Sequence, residues 1–353
     1  MSKPYILITG GAGFIGSHCA LVLLEHGFDV VVIDNCSNAY LGSSDSKPES
    51  LKRVEKLTNK SIEFVKGDLS DCDNLGSVFK KFNISCVLHC AALKSVKESW
   101  DIPLSYYSNN VTGSINLFSV MSSYGVKKLI FSSSSTVYGD PQFLPLTEEH
   151  PTGQNCANPY GRTKFLVEEI LKDLCRSDKD WCVYSLRYFN PVGAHPSGDI
   201  GEDPLGIPNN LMPIITQVAI GKLKSIDVYG NDYDTVDGTG VRDYIHIMDL
   251  AEGHAAAIKV LLKEKGNAGI FKAYNLGTGS GSSVLQMIST FEKVNSVKIP
   301  YKIVGKRAGD VAASYCAVQL AKKELGWQAK YGLAEMCKDA WTWQTKNPKG
   351  YQK

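Results

Sequence analysis

Tyr160 and Lys164, four residues apart in NPYGRTKFLVEEILKDL (residues 158–174), are the pair in this chain best suited to proton chemistry. On a helix that spacing stacks them on one face. The same stripe runs on through Val167, Leu171 and Leu174, while Arg162, Glu169 and Lys172 lie off its centre. A buried phenol and a buried ammonium are costly without partners, so a cofactor, a substrate or acceptor groups must be close to the helix mouth. Asn158 is a good N-cap and Pro159 suits a first turn, so the helix is expected to start directly before Tyr160.

The second chemical signal is GGAGFIG at residues 10–16, between an apolar run and a helical pattern. Gly10 permits a tight turn, Gly13 lets the backbone approach a pyrophosphate, and Gly16 allows close helix packing; the helix N-terminus then offers amides and positive dipole to phosphate. Asp34 ends the next apolar run, 18 residues after Gly16. A carboxylate there accepts hydrogen bonds from an adenosine ribose and repels a 2′-phosphate, so NAD is expected rather than NADP. Asp68 and Leu69 fall where a third strand would pass the adenine, although GDL also has turn character. His89–Lys94 (HCAALK) closes a fourth strand with small residues that leave room for a dinucleotide.

These groups need a scaffold with strand ends on one side. Tyr5–Thr9, Asp29–Asp34, Ile62–Val65, Val87–Cys90, Leu129–Phe131 and Cys182–Tyr188 read as strands. Helical patterns at Phe14–His26, Leu51–Leu57, Asp73–Phe82 and Asn109–Tyr124 alternate with them, and the Tyr160 helix leads to the last. The expected fold is α/β, a doubly wound parallel sheet of Rossmann type, with a smaller mixed α/β lobe. Ser37–Ser50 has loop composition. After Asn190 a proline- and glycine-rich run marks the smaller lobe, giving expected domains of 1–190 and 191–353, with segments around 240–277 returning to the sheet as a helix (Val241–Val260) and a strand (Ala273–Leu276). Gly277–Ser283 (GTGSGSS) has no following Lys and reads as a loop rather than a phosphate cradle.

The bulk composition agrees. The chain has 353 residues, is 43% hydrophobic, and carries a formal net charge of +2 with both signs interspersed, which disfavours nucleic-acid and membrane-surface binding and favours small-molecule partners. No leader-like or membrane-spanning apolar run is present, so a cytoplasmic protein is expected. The ten cysteines are scattered with no C-x-x-C pair, and are read as reduced core residues with no metal site.

The ordered motifs resemble the extended short-chain dehydrogenase/reductases, in particular their nucleotide-sugar 4-epimerase branch. They are GGAGFIGSH (10–18), AALKSV (91–96), SSSSTVYGD (132–140), NPYGRTK (158–164), RYFNPVGAHPSG (187–198), IPNNLMP (207–213), GTGVRDYIHIMDLA (238–251) and RAGD (307–310). The resemblance implies that Tyr160 acts as base and acid, Lys164 as its electrostatic partner on the nicotinamide ribose, and Ser134 as the hydroxyl facing the sugar. It further implies a tightly held NAD, regenerated each turnover, lined also by Phe14, Ile15, Asp34, Asn35, Cys36, Ser37, Asn38, Ala39, Asp68, Leu69, Cys90, Ala91, Ala92, Lys94, Asn109 and Phe189. The implied reaction interconverts UDP-galactose and UDP-glucose through a 4-keto sugar that turns in its pocket. Lys94, Ser134, Thr136, Asn190, Asn210, Leu211, Tyr229, Arg242, Arg307, Asp310 and Ser314 would hold the UDP-hexose, with the two arginines clamping the diphosphate. A homodimer through helices near 109–124 and 160–175 is also implied. Ala308 and the Cys156–Ala157 approach depart from the family pattern without removing a catalytic group. Ser314 stands where some relatives carry a bulky Tyr, which implies acceptance of UDP-N-acetylglucosamine and its galacto epimer.

Two other functions share these features. A nucleotide-sugar 4,6-dehydratase uses the same fold, NAD and Tyr/Lys pair, but relatives of that class carry Asp-Glu after the Ser134 position, where this chain has Ser135 and Thr136. A non-catalytic NAD-binding regulatory module would keep the sheet and has no need of Ser134, Tyr160 and Lys164 together.

Overall fold

Runs that are apolar on both faces become central strands, because a parallel sheet covered by helices leaves neither face to water. The computed structural model describes residues 4–42, 47–154, 156–206, 208, 210–307 and 309–352. Its strands are β1 (Tyr5–Thr9), β2 (Asp29–Asp34), β3 (Glu63–Lys66), β4 (Ile84–His89), β5 (Lys128–Ser134), β6 (Cys182–Tyr188), β7 (Asn190–Val192), β8 (Ile226–Tyr229), β9 (Val241–His246), β10 (Ile270–Leu276), β11 (Gly281–Ser283), β12 (Tyr301–Val304) and β13 (Ala313–Ser314). Every residue of β6 is buried, as are all but the first of β1 and β5.

Seven of these strands form one sheet in the order β10-β6-β5-β4-β1-β2-β3. The pairings of β1 with β2 and β4, of β2 with β3 and of β4 with β5 are parallel. The expected doubly wound sheet is therefore present, and strand order reverses between β1 and β4, the place where such folds bind ligands beyond the strand ends. Helices α1 (Phe14–Glu25), α2 (Glu49–Thr58), α3 (Cys72–Lys81), α4 (Val96–Asp101), α5 (Pro103–Tyr106), α6 (Gly113–Ser123) and α7 (Pro159–Ser177) alternate with β1–β6. A core of Leu7, Val31, Val87, Leu117, Phe131, Val167, Leu171 and Trp181 joins sheet to helices.

The chain divides into two compact units. The first comprises Met1–Gly139, Pro151–Arg187 and Ala251–Tyr274; the second comprises Asp140–His150, Tyr188–Leu250 and Asn275–Lys353. In the second, β9 pairs with β7, β11 and β13, and β8 pairs with β12. Its helices are α8 (Leu211–Ala219), the start of α9 (Ile247–Leu261), α10 (Val284–Asn295), α11 (Gln319–Leu325) and α12 (Leu333–Lys346), and Ile215, Phe291, Met336 and Cys337 lie in its separate core.

Several local expectations are corrected. Val241–His246 is strand, not helix, because three neighbouring strands claim its backbone. Gly277–Ser283 is a loop only in part, since its last three residues form β11. Asp68 and Leu69 lie in the turn after β3, which ends at Lys66. The helix expected over 109–124 opens with a π-helical turn, Tyr107–Thr112. Cys72 is exposed, and Cys36 and Cys90 are only partly buried, so three cysteines lie outside the core. Within the 37–50 loop, residues 43–46 lie outside the described residues, as do Ile207, Asn209 and Ala308 of the later motifs. Among the described residues no helix is long and apolar enough to cross a membrane.

Candidate active site

The glycine turn is built by close approach. Gly10 has φ +68°, and a Cβ there would lie 2.7 Å from the Ala91 backbone; at Gly16 it would lie 2.4 Å from the Gly10 carbonyl oxygen. Gly13, the N-cap of α1, is different: a Cβ there would meet nothing nearer than 3.5 Å, and the helix start has no side-chain cap. An open glycine at an uncapped helix N-terminus, with Phe14 and Ile15 as its first residues, fits a pyrophosphate. Asp34 ends β2 and accepts from the Ala12 amide (2.9 Å) and the Cys36 amide (2.8 Å). Burial pushes its carboxyl up, and those two amides pull it back only in part. A carboxylate retains lone pairs for a ribose after two such bonds.

The neighbouring loops are tied to this turn. Cys36 holds φ +62°, the Ser37 amide bonds the Asn35 side chain, and the Ala39 amide bonds the Cys36 carbonyl, so residues 34–39 form a folded turn that includes Asn38. Asn35 donates to Asp68 (2.6 Å), and this bond leads the causes that hold the Asp68 carboxyl below its usual range. The Leu69 carbonyl accepts from Asn116. Across the strand-order reversal, the Cys90 and Ala91 amides bond Thr9, Ala92 is partly buried and Lys94 is exposed.

Helix α7 begins as its sequence requires, with the Asn158 side chain accepting from the Gly161 amide at 2.8 Å and Pro159 in the first turn. Tyr160 is partly buried and Lys164 is 4% exposed. The Lys164 ammonium donates to the Ser132 carbonyl (2.6 Å) and stands 5.0 Å from the Phe131 ring centroid and 6.0 Å from that of Tyr160. Ser134, the last residue of β5, lies close enough to the Tyr160 phenol to hold its pKa down against burial, and its oxygen accepts from the Thr136 amide (3.2 Å) and hydroxyl (3.0 Å). Burial pushes the phenol up to about 12, with Ser134 opposing. Burial also pulls Lys164 down to about 8, against the opposing influences of Cys90 and Glu168. The protein groups alone therefore favour a neutral phenol, and a further positive charge beside it is needed to favour phenolate.

The second unit gathers another set. Arg307 forks onto Asp310 (2.8 and 3.3 Å), its guanidinium lies 4.5 Å from the Tyr229 ring centroid, and Arg242 reaches Asp310 at 3.9 Å. Arg242 is fixed by bonds to the Val241 and Val311 carbonyls, and Ser314 lies opposite it in the β9–β13 register. Asn190 donates to the Asp243 carbonyl (3.1 Å). Asn210 stands at the N-cap of α8, immediately before Leu211, and spends its amide on Glu202 (3.1 Å). Phe189 is 5% exposed and its amide bonds the Leu276 carbonyl. Asp243 explains why Gly277–Ser283 is no phosphate cradle: its carboxylate accepts from the Thr278 amide and hydroxyl and the Gly279 amide.

A tyrosine–lysine pair and a dinucleotide-type turn in one unit, with an arginine pair in the other, agree with the full-length comparisons. The chain is 57% identical over 346 residues to the human UDP-glucose 4-epimerase, covering 98% of both chains, and 53% identical over 347 residues to that of Bacillus subtilis. The chain belongs to the UDP-glucose 4-epimerase family. A solved epimerase structure from Bifidobacterium longum, in complex with NAD+ and UDP, matches with a TM-score of 0.92 at 49% identity, covering 98% of this chain and 99% of that one. A broader family model, described as GDP-mannose 4,6 dehydratase, matches residues 7–340.

Sequence patterns did not single out the groups that support this epimerase-family site. Glu168, one turn beyond Lys164, is fully buried. Its carboxylate accepts from Ser133 (2.6 Å), Ser185 (2.8 Å) and Arg187 (Nε 3.0 Å, Nη2 2.7 Å), while Arg187 also donates to the Tyr138 hydroxyl (3.0 Å). Burial alone would push the Glu168 carboxyl up, but the guanidinium and the hydroxyls outweigh it and hold it below the usual carboxylate range. The i,i+4 spacing from Lys164 was its only sequence signal. Asn110, next to the expected Asn109, is the second case. Its side chain accepts from the Leu93 amide (2.8 Å) and donates to the Leu93 carbonyl and to Thr163 (both 3.0 Å), while Asn109 donates to Asn110 (3.0 Å).

Removing one partner of a buried pair leaves the other charge unanswered. Glu168→Gln should lower unfolding free energy by about 3 kcal/mol in chemical denaturation, and the Glu168→Gln/Arg187→Met double change should recover part of it. A single variant as stable as the parent would show that the pair does not hold the helix in place.

Proposed function

We propose that this chain interconverts UDP-galactose and UDP-glucose by transient oxidation at C4, with the first unit holding NAD and the second the UDP portion. The observation that carries this reading is the Lys164 ammonium held on the Ser132 carbonyl, 6.0 Å from the Tyr160 ring centroid, with Ser134 ending the strand beside them. The gly-rich turn, Asp34 and the folded 34–39 turn suit a dinucleotide, and the Bifidobacterium longum relative binds NAD+. NAD, when bound, supplies a hydride acceptor and then a donor at the sugar C4.

The chain's residues manage the proton and the grip. Tyr160 takes the C4 hydroxyl proton and later returns it, and Ser134 donates to the same sugar oxygen. Lys164 favours the phenolate and holds the nicotinamide ribose. Arg242 and Arg307 receive the diphosphate, for which Asp310 is the resident competitor until its carboxylate turns to a ribose hydroxyl. A 4,6-dehydratase, the description of the broader family model, must also eliminate water, and needs acid and base groups beyond Tyr160. Ser135 and Thr136 supply only hydroxyls there, and that of Thr136 is directed at Ser134. The epimerase reading is therefore preferred.

The same reading extends to assembly and location. Exposed Ile115, Tyr124 and Leu166, with Trp100 and Leu104 on α4 and α5, support a homodimer through α6 and α7. Ten free cysteines support a reducing, cytoplasmic setting.

Incubating purified protein with UDP-galactose and no added NAD should yield UDP-glucose. Tyr160→Phe should lose roughly 10²- to 10⁴-fold in turnover while NAD remains bound, and undiminished turnover in that variant would sink the mechanism. The small Ser314 should admit a C2 acetamido group, so UDP-N-acetylglucosamine should be epimerised; no turnover beside normal UDP-galactose activity would reject that. Light scattering at micromolar concentration should give twice the chain mass, and a monomer would overturn the proposed assembly.

A further inference from the structure

Thr136 has a clear geometric duty. It lies in the 3₁₀ turn Ser135–Tyr138 that follows β5, and both its amide and its hydroxyl point back to the Ser134 oxygen, at 3.2 and 3.0 Å. Gly161 makes room for it against α7: a Cβ there would meet the Thr136 carbonyl oxygen at 3.1 Å, its Cβ at 3.2 Å and its hydroxyl at 3.3 Å. Thr136 is thus seated between Ser134 and the first turn of the helix that presents Tyr160.

A hydroxyl has one proton and two lone pairs. With Thr136 filling both lone pairs, the single Ser134 proton is left to point away from Thr136, free to serve the Tyr160 phenol that Ser134 already influences. We infer that Thr136 is a positioning residue that makes Ser134 a dedicated donor, to the Tyr160 oxygen in the resting site and to the sugar oxygen once the hexose is bound. Without the threonine hydroxyl, Ser134 regains an open lone pair and can accept from Tyr160, which favours the neutral phenol and withholds the base. The inference rests on the epimerase reading and assigns Thr136 a role through Ser134 rather than through direct contact with the hexose.

The test compares Thr136→Val, Thr136→Ala and Thr136→Ser as NAD-bound holoenzymes. Turnover of UDP-galactose is measured, and phenol ionisation is followed by ultraviolet difference absorbance against a Tyr160→Phe reference. The Val and Ala variants should each lose about 10-fold in kcat with KM within about twofold, and the Tyr160 ionisation should move up by about one pH unit, the size expected for one hydrogen bond. The Ser variant should behave as the parent. Unchanged kcat and ionisation in Val and Ala would overturn the inference, as would a Ser variant as impaired as Val, which would indicate packing alone. Should the parent itself fail to turn over UDP-galactose, the epimerase reading falls, while the ionisation series still tests the Thr136–Ser134–Tyr160 chain.

Discussion

A fully buried carboxylate survives only where the protein answers its charge, and the Glu168–Arg187 pair is the point from which the rest of the catalytic geometry hangs. Glu168 rides on α7 with Tyr160 and Lys164. Its partners come from β6 and, through Ser133, from the end of β5 that carries Ser134. Arg187 continues the chain to Tyr138, beyond Thr136. One ion pair thereby fixes the helix that bears the phenol against the strand that bears the serine. Hydrophobic packing alone lets a helix slide or roll by fractions of an ångström; directed bonds to a buried carboxylate resist that motion.

The same burial sets the electrostatics. Desolvation raises the phenol to about 12 and lowers the ammonium to about 8, both toward the neutral forms. Neither trend suits proton abstraction near neutrality, and in the proposed reaction a cationic ring and a donating serine would add what the protein interior removes. Glu168 acts in the favourable direction on Lys164, opposing the burial that lowers it.

Much of the fold was legible because its signals are local. The glycine run, the aspartate ending β2, the Asn158–Pro159 helix start and the strand-helix alternation each follow from neighbours in sequence, and each appears in the structure. The hidden parts depend on partners distant along the chain. Glu168 and Arg187 meet only once α7 packs beside β6. VRDYIH has no strong strand pattern, and becomes β9 because β7, β11 and β13 flank it. Asp243 closes the glycine loop from 35 residues away, a bond no spacing rule would pick. The arginines of the second unit were visible as residue types, whereas their shared engagement with Asp310 was not.

The π-helical turn Tyr107–Thr112 sets where Asn110 points. Such a turn holds one residue more than an α-helix needs, and deleting that residue would restore regular hydrogen bonding through α6. The same deletion would rotate Asn110 by about 100° and take its side chain off Leu93 and Thr163. The segment after β4 would then lose its anchor beside the glycine turn. A deletion that regularises the helix would therefore cost the Leu93 and Thr163 bonds, so the irregular turn is the condition for Asn110 to reach both.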